Sequence, residues 1–462
     1  MTYWDNGPVQ LYQADARNIP LADQSVHCVV TSPPYYCLRV YKDNDDRGIG
    51  LESSVEAYIA SMVDVFREVR RVLRDDGILW LNLGDSYASI GRSERKESPG
   101  VGATQAMESI DRDVVWQAGG GHNFNWSLPG GQRSGDRLGI PEQVVLALQA
   151  DGWVWRDTII WAKKSAMPES LAGWRWERCR VKTKAQPKAI YQAYAMDPMT
   201  PTGRDSSGGV IYAERAEWAD CPGCDKCADN DGLVLRRGSW RTTQAHEYIY
   251  MLTKGMGYYA DGEAVKTAAA ESSIERVKSG FKTNPDNPGK QNVDVEVMGD
   301  RFLPGGKANR RSVWSDISPE PYGGSHFATF PSDLPRICIQ ASTSERGCCA
   351  ECGSQWARVV DHKTASPGQE PGWAAGEGTL RNDAERGGNS TDAETQTFGW
   401  RRTCNHNAPA IPATVLDPFS GTATTCRAAQ KLGRRAVGVD ISEAYLDQAV
   451  RRLSAVTLPM GI

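Results

Sequence analysis

The sequence predicts an α/β fold: a largely parallel sheet covered on both faces by helices. Short apolar runs of strand length alternate along the chain with stretches of helical period. Near the C-terminus one run, 413–442, reads strand, Gly-bearing turn, helix, strand. Long Gly-, Ser- and charge-rich pieces interrupt this pattern and are expected as insertions.

Taken in order, PVQLYQADA (8–16) and VHCVVTS (26–32) are expected as short buried strands feeding loops. From Ser54 to Leu73, SVEAYIASMVDVFREVRRVL sets Tyr58, Met62, Val65, Phe66, Val69 and Leu73 on one helical face. GILWLNLGD returns as a strand. IPEQVVLALQADGW reads as a helix and WRDTIIWAKK as a strand. HEYIYMLTK (246–254) is a further strand, SDLPRICIQAS (332–342) a helix, and EAYLDQAVRRL the closing helix. Residues 90–135 are expected as a mobile loop. Residues 165–245 and 265–322 are expected to be irregular, and 363–400, with scarcely any aliphatic content, to have little order.

At 462 residues the chain is long enough for two or three modules. No apolar run approaches a membrane span, and MTYWDNGPVQ lacks the basic start and apolar core of a signal peptide. A cytoplasmic protein with no membrane partner is expected. A formal charge of -4 gives no global argument for nucleic acid, so any such binding rests on local patches.

DPFSGTATT (417–425) falls where a strand ends and a helix begins. A Gly there lets backbone approach a ligand, and the helix start offers free N–H groups. Some twenty residues on, AVGVDIS closes the next strand with Asp440, a place where an acid commonly accepts from ribose hydroxyls.

These residues carry a resemblance. Thr31-Ser32-Pro33-Pro34-Tyr35 near the start and Asp417-Pro418-Phe419-Ser420-Gly421 near the end are similar to the two motifs of the S-adenosylmethionine-dependent DNA amino-methyltransferases of the permuted β class. In that family the catalytic motif comes first, a target-recognition region follows and the cofactor motif comes last. The family usually has a second Gly where this chain has Ala423. HFATFPSDLPRICIQAST (326–343) resembles the segment before the cofactor motif that lines the same pocket, and YQADA the strand end whose acid, here Asp15, contacts adenine. The matches cover about half the chain, in the family's order.

The resemblance implies a circularly permuted Rossmann-like methyltransferase sheet with irregular zinc-binding insertions. It implies S-adenosylmethionine held by Asp15, Ala16, Thr31, Phe327, Asp417, Pro418, Phe419, Ser420, Gly421, Thr422, Ala423, Thr424, Asp440 and Ile441. The expected division is a catalytic core half (1–89), the mobile loop (90–135), core (136–164), a zinc-bearing recognition insertion (165–245), a core strand (246–264) and more of the insertion (265–322). A cofactor-pocket segment (323–345), a zinc knuckle with a flexible loop (346–408) and the cofactor-binding core half (409–462) complete it.

The chemistry accounts for the Pro-Pro turn. An exocyclic amino group of cytosine or adenine has its lone pair drawn into the ring and is a poor nucleophile. Acceptors around its N–H bonds, here the Ser32 hydroxyl and the Pro33 carbonyl, draw the nitrogen toward sp³ character. Pro33 and Pro34 fix φ and hold that carbonyl in place. Tyr35 offers a flat face to a base swung out of the duplex. Family members with Ser before the prolines are most often cytosine-N4 enzymes, so Ser32 favours cytosine N4, with adenine N6 the alternative. The chain has no Pro-Cys dipeptide, which sets cytosine C5 methylation aside.

Seven of the twelve cysteines sit in CPGCDKC, CCAEC and TCNH, spacings that favour metal over disulfides. Cys221, Cys224 and Cys227 supply three corners of a tetrahedral zinc site, with Cys179 as the fourth. Cys349 and Cys352 pair with Cys404 and His406 in a second structural site, where Cys348 is an alternative to Cys349. Cys28, Cys37, Cys338 and Cys426 read as buried apolar residues, and His246 as structural.

Basic residues with interleaved aromatics suit phosphate contact and stacking. Lys163, Lys164, Arg175, Arg178, Arg180, Lys182, Lys184 and Lys188 surround Trp174 and Trp176, joined by Arg236, Arg237, Arg241, Arg310 and Arg311. Double-stranded DNA is the expected partner, with a cognate restriction nuclease as a further one and a monomer or homodimer as the assembly, in a bacterial or phage-infected cell. Rival readings are methylation of RNA or a protein amide, and a zinc-dependent DNA-binding protein that keeps a methyltransferase shell without turnover.

Overall fold

The computed structural model describes residues 2–36, 48–52, 54–88, 135–164, 172–189, 212–272, 275, 307–318, 330–362 and 395–455. Cys37, Phe327 and most of 90–135, 265–322 and 363–400 lie outside them, as do the side chains of Lys182, Lys184 and Lys188. The chain divides into two compact units, one of residues 1–164, 246–320 and 329–462, the other of 165–245 with 321–328.

The larger unit is built on a nine-stranded sheet. Its strands are β1 (Thr2–Asp5), β2 (Val9–Gln13), β3 (Val26–Thr31), β4 (Leu73–Leu83), β5 (Val154–Ala162), β6 (His246–Thr253), β7 (Val313–Trp314), β8 (Thr414–Asp417) and β9 (Arg435–Asp440). They lie in the order β1-β2-β9-β8-β3-β4-β6-β5-β7. From β2 to β4 the sheet is parallel, while β6 runs antiparallel to both β4 and β5.

Helices cover both faces because alternate residues of the central strands are apolar on both sides. Val29 of β3 and Leu79 and Leu81 of β4 pack with helix α1 (Val55–Val72) and helix α2 (Ile140–Ala150). Cys28, Val30, Ile78 and Trp80 face the other way, toward α3 (Asp333–Ser342), α4 (Thr424–Lys431) and α5 (Glu443–Ser454). Cys28, Cys338 and Cys426 are buried, as expected of small apolar residues.

Helix α1 begins where Ser54 Oγ accepts from the Ala57 N–H at 3.2 Å, a side-chain N-cap. It ends at Val72. Leu73, expected on the helix, is the first residue of β4, with φ -69° and ψ 138°, and keeps its place in the core from there.

The second unit corrects the expectation of an irregular 165–245. Residues Trp174–Arg178 pair antiparallel with Leu233–Arg237, and Arg180–Ala189 with Tyr212–Asp220, as two ribbons. Their pattern was illegible because Trp174, Trp176 and Trp218 are exposed alongside the arginines. A ribbon wet on both faces lacks the apolar–polar alternation that marks a half-buried strand. In the larger unit a hairpin of Ala357–His362 with Thr395–Arg401 was likewise not anticipated.

Candidate active site and metal centres

β3, β4, β8 and β9 deliver their C-terminal ends to one edge of the sheet. There Thr31 Oγ1 donates to Asp417 Oδ1 at 2.8 Å, tying the Ser-Pro-Pro-Tyr turn to the Asp-Pro-Phe-Ser-Gly turn. The strands that carry them, β3 and β8, are parallel neighbours. Tyr58 of α1 donates to the Pro34 carbonyl at 2.9 Å, and the buried Tyr36 ring packs against the Tyr58 ring. The Pro-Pro turn is thus held from the helix below it.

Tyr35 Oη donates to Glu247 Oε2 at 2.8 Å. Asn82 Nδ2 lies 2.7 Å from Tyr35 Oη, 2.8 Å from Glu247 Oε2 and 3.4 Å from Ser32 Oγ. Lys163, expected at a DNA face, instead forms an ion pair with Glu247 Oε1. Gly84 lies beneath the Tyr35 ring, where a Cβ would come within 2.7 Å of a ring carbon. Burial, and secondly the Glu247 carboxylate, hold the Tyr35 phenol well above its usual pKa, so it stays protonated.

The Asp-Pro-Phe-Ser-Gly turn is ordered by its backbone N–H groups. Gly421 N–H donates to Asp440 Oδ2 at 2.8 Å and Ser442 N–H to Asp440 Oδ1 at 2.9 Å. Ser420 N–H donates to the Val439 carbonyl at 2.9 Å. This closeness requires Gly438, since a Cβ there would meet Ser420 Cβ at 2.9 Å. Ala423 adopts φ +61°, the left-handed conformation for which glycine is the usual residue. Burial pushes the carboxyls of Asp417 and Asp440 up to about 6.

Asp417 is buried between strands and acts here as a strut. Asp15 is paired with Arg17 at 2.7 Å. Ala16, Pro418, Thr422 and Thr424 are buried, whereas Phe419 and Ile441 are half-buried. Ser420 Oγ is buried without a hydrogen-bond partner among the described residues. A polar atom left so in the turn suits a polar ligand.

Both anticipated quartets come together. The sulfurs of Cys179, Cys221, Cys224 and Cys227 lie within 4.8 Å of one another, as do the ligand atoms of Cys349, Cys352, Cys404 and His406. Sγ of Cys224 is 3.8 Å from that of Cys179 and 3.6 Å from that of Cys227. Tetrahedral zinc–sulfur bonds of about 2.3 Å give edges of about 3.8 Å. His406 Nδ1 is buried without a hydrogen-bond partner among the described residues. Both donor sets fit zinc. Cys348 stands outside the second quartet, with Sγ 3.4 Å from the Ile411 carbonyl.

The second quartet is fastened to the sheet from below. His27 Nδ1 accepts from the Thr414 N–H at 3.1 Å, so Nε2 carries the proton it donates to the Gly353 carbonyl at 2.9 Å. Burial, and secondly Arg74, push this imidazole down to about 4 and keep it neutral. Arg74 donates to the Cys352 carbonyl at 2.9 Å.

In the second unit Arg175, Arg178, Arg180, Arg236 and Arg237 are exposed. Arg237 lies over the Trp174 ring, and Arg175 and Arg236 share Glu177. Arg310 departs from the expected DNA face. It is largely buried, lies over the Trp314 ring and pairs with Asp316, all within the larger unit. Lys164 donates to Ser318 Oγ in that unit, where Arg311 is exposed. His246 serves its strand by packing edge-on against Tyr248.

The sequence reading missed Asn82, Glu247 and Asp85. Asp85, its side chain buried, accepts from the Ile140 N–H at 3.0 Å and the Gly139 N–H at 3.2 Å, capping α2 from the end of β4. The available signal for Asn82 and Asp85 was a polar residue within or closing an apolar run, in LWLNLGD, whereas Glu247 carried none beyond a charge at the start of a strand.

A hydroxyl-bearing turn and a Gly-bearing turn at the carboxyl edge of an open parallel sheet define the class of enzymes that bind a nucleotide-like cofactor there. The model of the N6 and N4 DNA methylases matches residues 26–350 and 412–451. The chain belongs to this family, the S-adenosylmethionine-dependent DNA amino-methyltransferases. It is similar to the Type II methyltransferase M.SmaI of Serratia marcescens, 28% identical over 426 residues, covering 92% of this chain and 83% of that protein. M.Cfr9I of Citrobacter freundii is 28% identical over 448 residues, covering 96% and 87%. Among solved structures, the PvuII DNA methyltransferase (cytosine-N4-specific) aligns at a TM-score of 0.42 and 11% identity, over 98% of this chain and 89% of that one.

Proposed function

We propose that this enzyme transfers a methyl group to the exocyclic N4 of cytosine in duplex DNA, at a specific site, by base flipping. The observation that carries the reading is Ser32. It stands in the Pro-Pro turn, on the strand beside the cofactor strand, with its hydroxyl next to Asn82 and Tyr35. The flipped base sits against Tyr35, and the Ser32 hydroxyl and Pro33 carbonyl accept from its amino group. The Ser420–Thr424 turn, Asp440 and Asp15 hold the cofactor, whose sulfonium supplies an electrophilic methyl group. Positioning carries much of the rate.

The exposed ribbon of Trp174–Arg178 with Leu233–Arg237 supports target recognition by the second unit. A two-stranded ribbon fits the DNA major groove, and its arginines suit phosphates or guanine edges. Zinc held by the Cys179 quartet stiffens the ends of both ribbons, and zinc in the Cys349 quartet closes the knuckle. The chain order, catalytic turn before cofactor turn, supports the permuted arrangement. Likeness to two Type II methyltransferases supports a restriction-modification role in the cytoplasm beside a cognate nuclease.

The test is methyl transfer from labelled S-adenosylmethionine to unmethylated genomic DNA, followed by nucleoside digestion and mass spectrometry. N4-methylcytosine is expected, absent with Ser32→Ala. N6-methyladenine would overturn the choice of base, and no incorporation with no cofactor binding would overturn the enzyme reading.

A further inference from the structure

Glu247 belongs to none of the motifs that mark the family in this sequence, yet it stands at the centre of the catalytic turn's hydrogen bonding. Because β6 runs antiparallel to β4, its first residues reach the edge where β3, β4 and β8 end. Glu247 is the second residue of β6 and its side chain is only 14% exposed. One carboxylate oxygen takes the Lys163 ammonium, while the other takes both the Tyr35 hydroxyl and the Asn82 amide.

An ionised carboxylate only accepts, and this sets the direction of every bond around it. Tyr35 has a single proton and gives it to Glu247, so toward Ser32 the phenol oxygen is an acceptor. Asn82 is obliged to present Nδ2 to the carboxylate, which orients its amide and leaves Oδ1 buried with no partner among the described residues. Ser32 Oγ lies 3.4 Å from Tyr35 Oη and, facing an acceptor there, directs its own proton inward. Asn82 Nδ2 also lies 3.4 Å from Ser32 Oγ, but its two protons serve the nearer Tyr35 and Glu247 oxygens at 2.7 and 2.8 Å, so the lone pairs of Ser32 are left for an N–H donor from outside.

We propose that Glu247, charge-balanced by Lys163, is a positioning residue that polarises a chain running from the target amino group through Ser32 and Tyr35 to the carboxylate. It makes Ser32 an acceptor for the exocyclic amino group. A neutral residue at 247 leaves Tyr35 able to donate toward Ser32, turning the serine hydroxyl outward as a donor that repels the amino N–H. This inference rests on the amino-methyltransferase reading of the same turn.

The test is single-turnover methyl transfer by the full chain on unmethylated DNA, with cofactor and DNA affinities measured separately. Glu247→Gln is expected to slow the chemical step about 10- to 100-fold while both affinities stay within about twofold. Tyr35→Phe, which removes one hydroxyl and keeps the ring, is expected to do the same. The double variant should be no slower than the slower single one, because both remove the same chain. A wild-type rate for Glu247→Gln would overturn the proposal. So would multiplied effects in the double variant, or a loss of cofactor affinity that accounts for the slower rate. Should Glu247→Gln not fold, Tyr35→Phe at the wild-type rate overturns it alone. A wild-type chain that methylates no exocyclic amino group would overturn the underlying reading as well, which separates the two failures.

Discussion

Thr31 donates a hydrogen bond to Asp417 at 2.8 Å in the buried centre of the sheet, joining two turns that lie 386 residues apart in the chain. The contact holds the end of β3, which leads into the Pro-Pro turn, against the end of β8, which leads into the Gly421 turn. Thr31→Val removes the donor and keeps the shape, leaving a buried carboxyl short of a partner. A loss of about 1–3 kcal/mol is expected in denaturant unfolding, with weaker cofactor binding measured by titration.

Asp417 also makes stability depend on pH. Burial raises its carboxyl from the ordinary 3.8 to about 6, so between those values the folded chain binds more protons than the unfolded one. Its contribution is full below the unfolded value and is lost as pH rises through about 6. Asn at 417 keeps an oxygen for the Thr31 and Phe419 donors, both of which bond the same Oδ1. Asp417→Asn is expected to lose this falling component between pH 4 and pH 6, relative to wild type, in unfolding measured across that range. Equal slopes for the two proteins would refute the account.

Gly84 is the floor of the Tyr35 ring. Gly84→Ala drives a methyl group into it, 2.7 Å from a ring carbon, and the ring must move. Displacing the ring proposed to face the flipped base is expected to cost about 10- to 100-fold in kcat. Circular dichroism and cofactor affinity should be little changed.

Ala423 holds a left-handed conformation at φ +61°. Replacing it with glycine removes the Cβ strain, so Ala423→Gly is expected to stabilise the chain by about 1 kcal/mol. Chemical denaturation checks the sign, and a destabilised variant would show that the alanine methyl contributes more through packing.

Two zinc ions per chain are expected to be released to a colorimetric chelator after thiol modification. Cys224→Ser should release about half as much and weaken DNA binding while sparing cofactor affinity. Metal content of the purified chain, by mass spectrometry, checks the count.

Much of this site was legible in the sequence for a local reason. The two turns and the cysteine knuckles are written in a few consecutive residues whose spacing limits what they can do. Both candidate metal quartets followed from spacing and from which insertion held the partners, and the structure brings the same eight residues together. The strands and helices of the core were legible because burial on one or both faces imposes a period on the residues. By contrast, the ribbons of the second unit are wet on both faces and carry no such period.

Only the tertiary structure assembled the surroundings of Ser32. Glu247 lies 212 residues from Tyr35 and 165 from Asn82, and nothing local marks it as more than a charge at the start of a strand. Its place was decided by sheet order, because an antiparallel strand beside β4 brings its first residues where parallel strands bring their last. Sequence alone determined the two turns and the cysteine knuckles, while strand pairing decided which charge stands beside Ser32 and Tyr35, since hydrogen-bond polarity depends on neighbours in space.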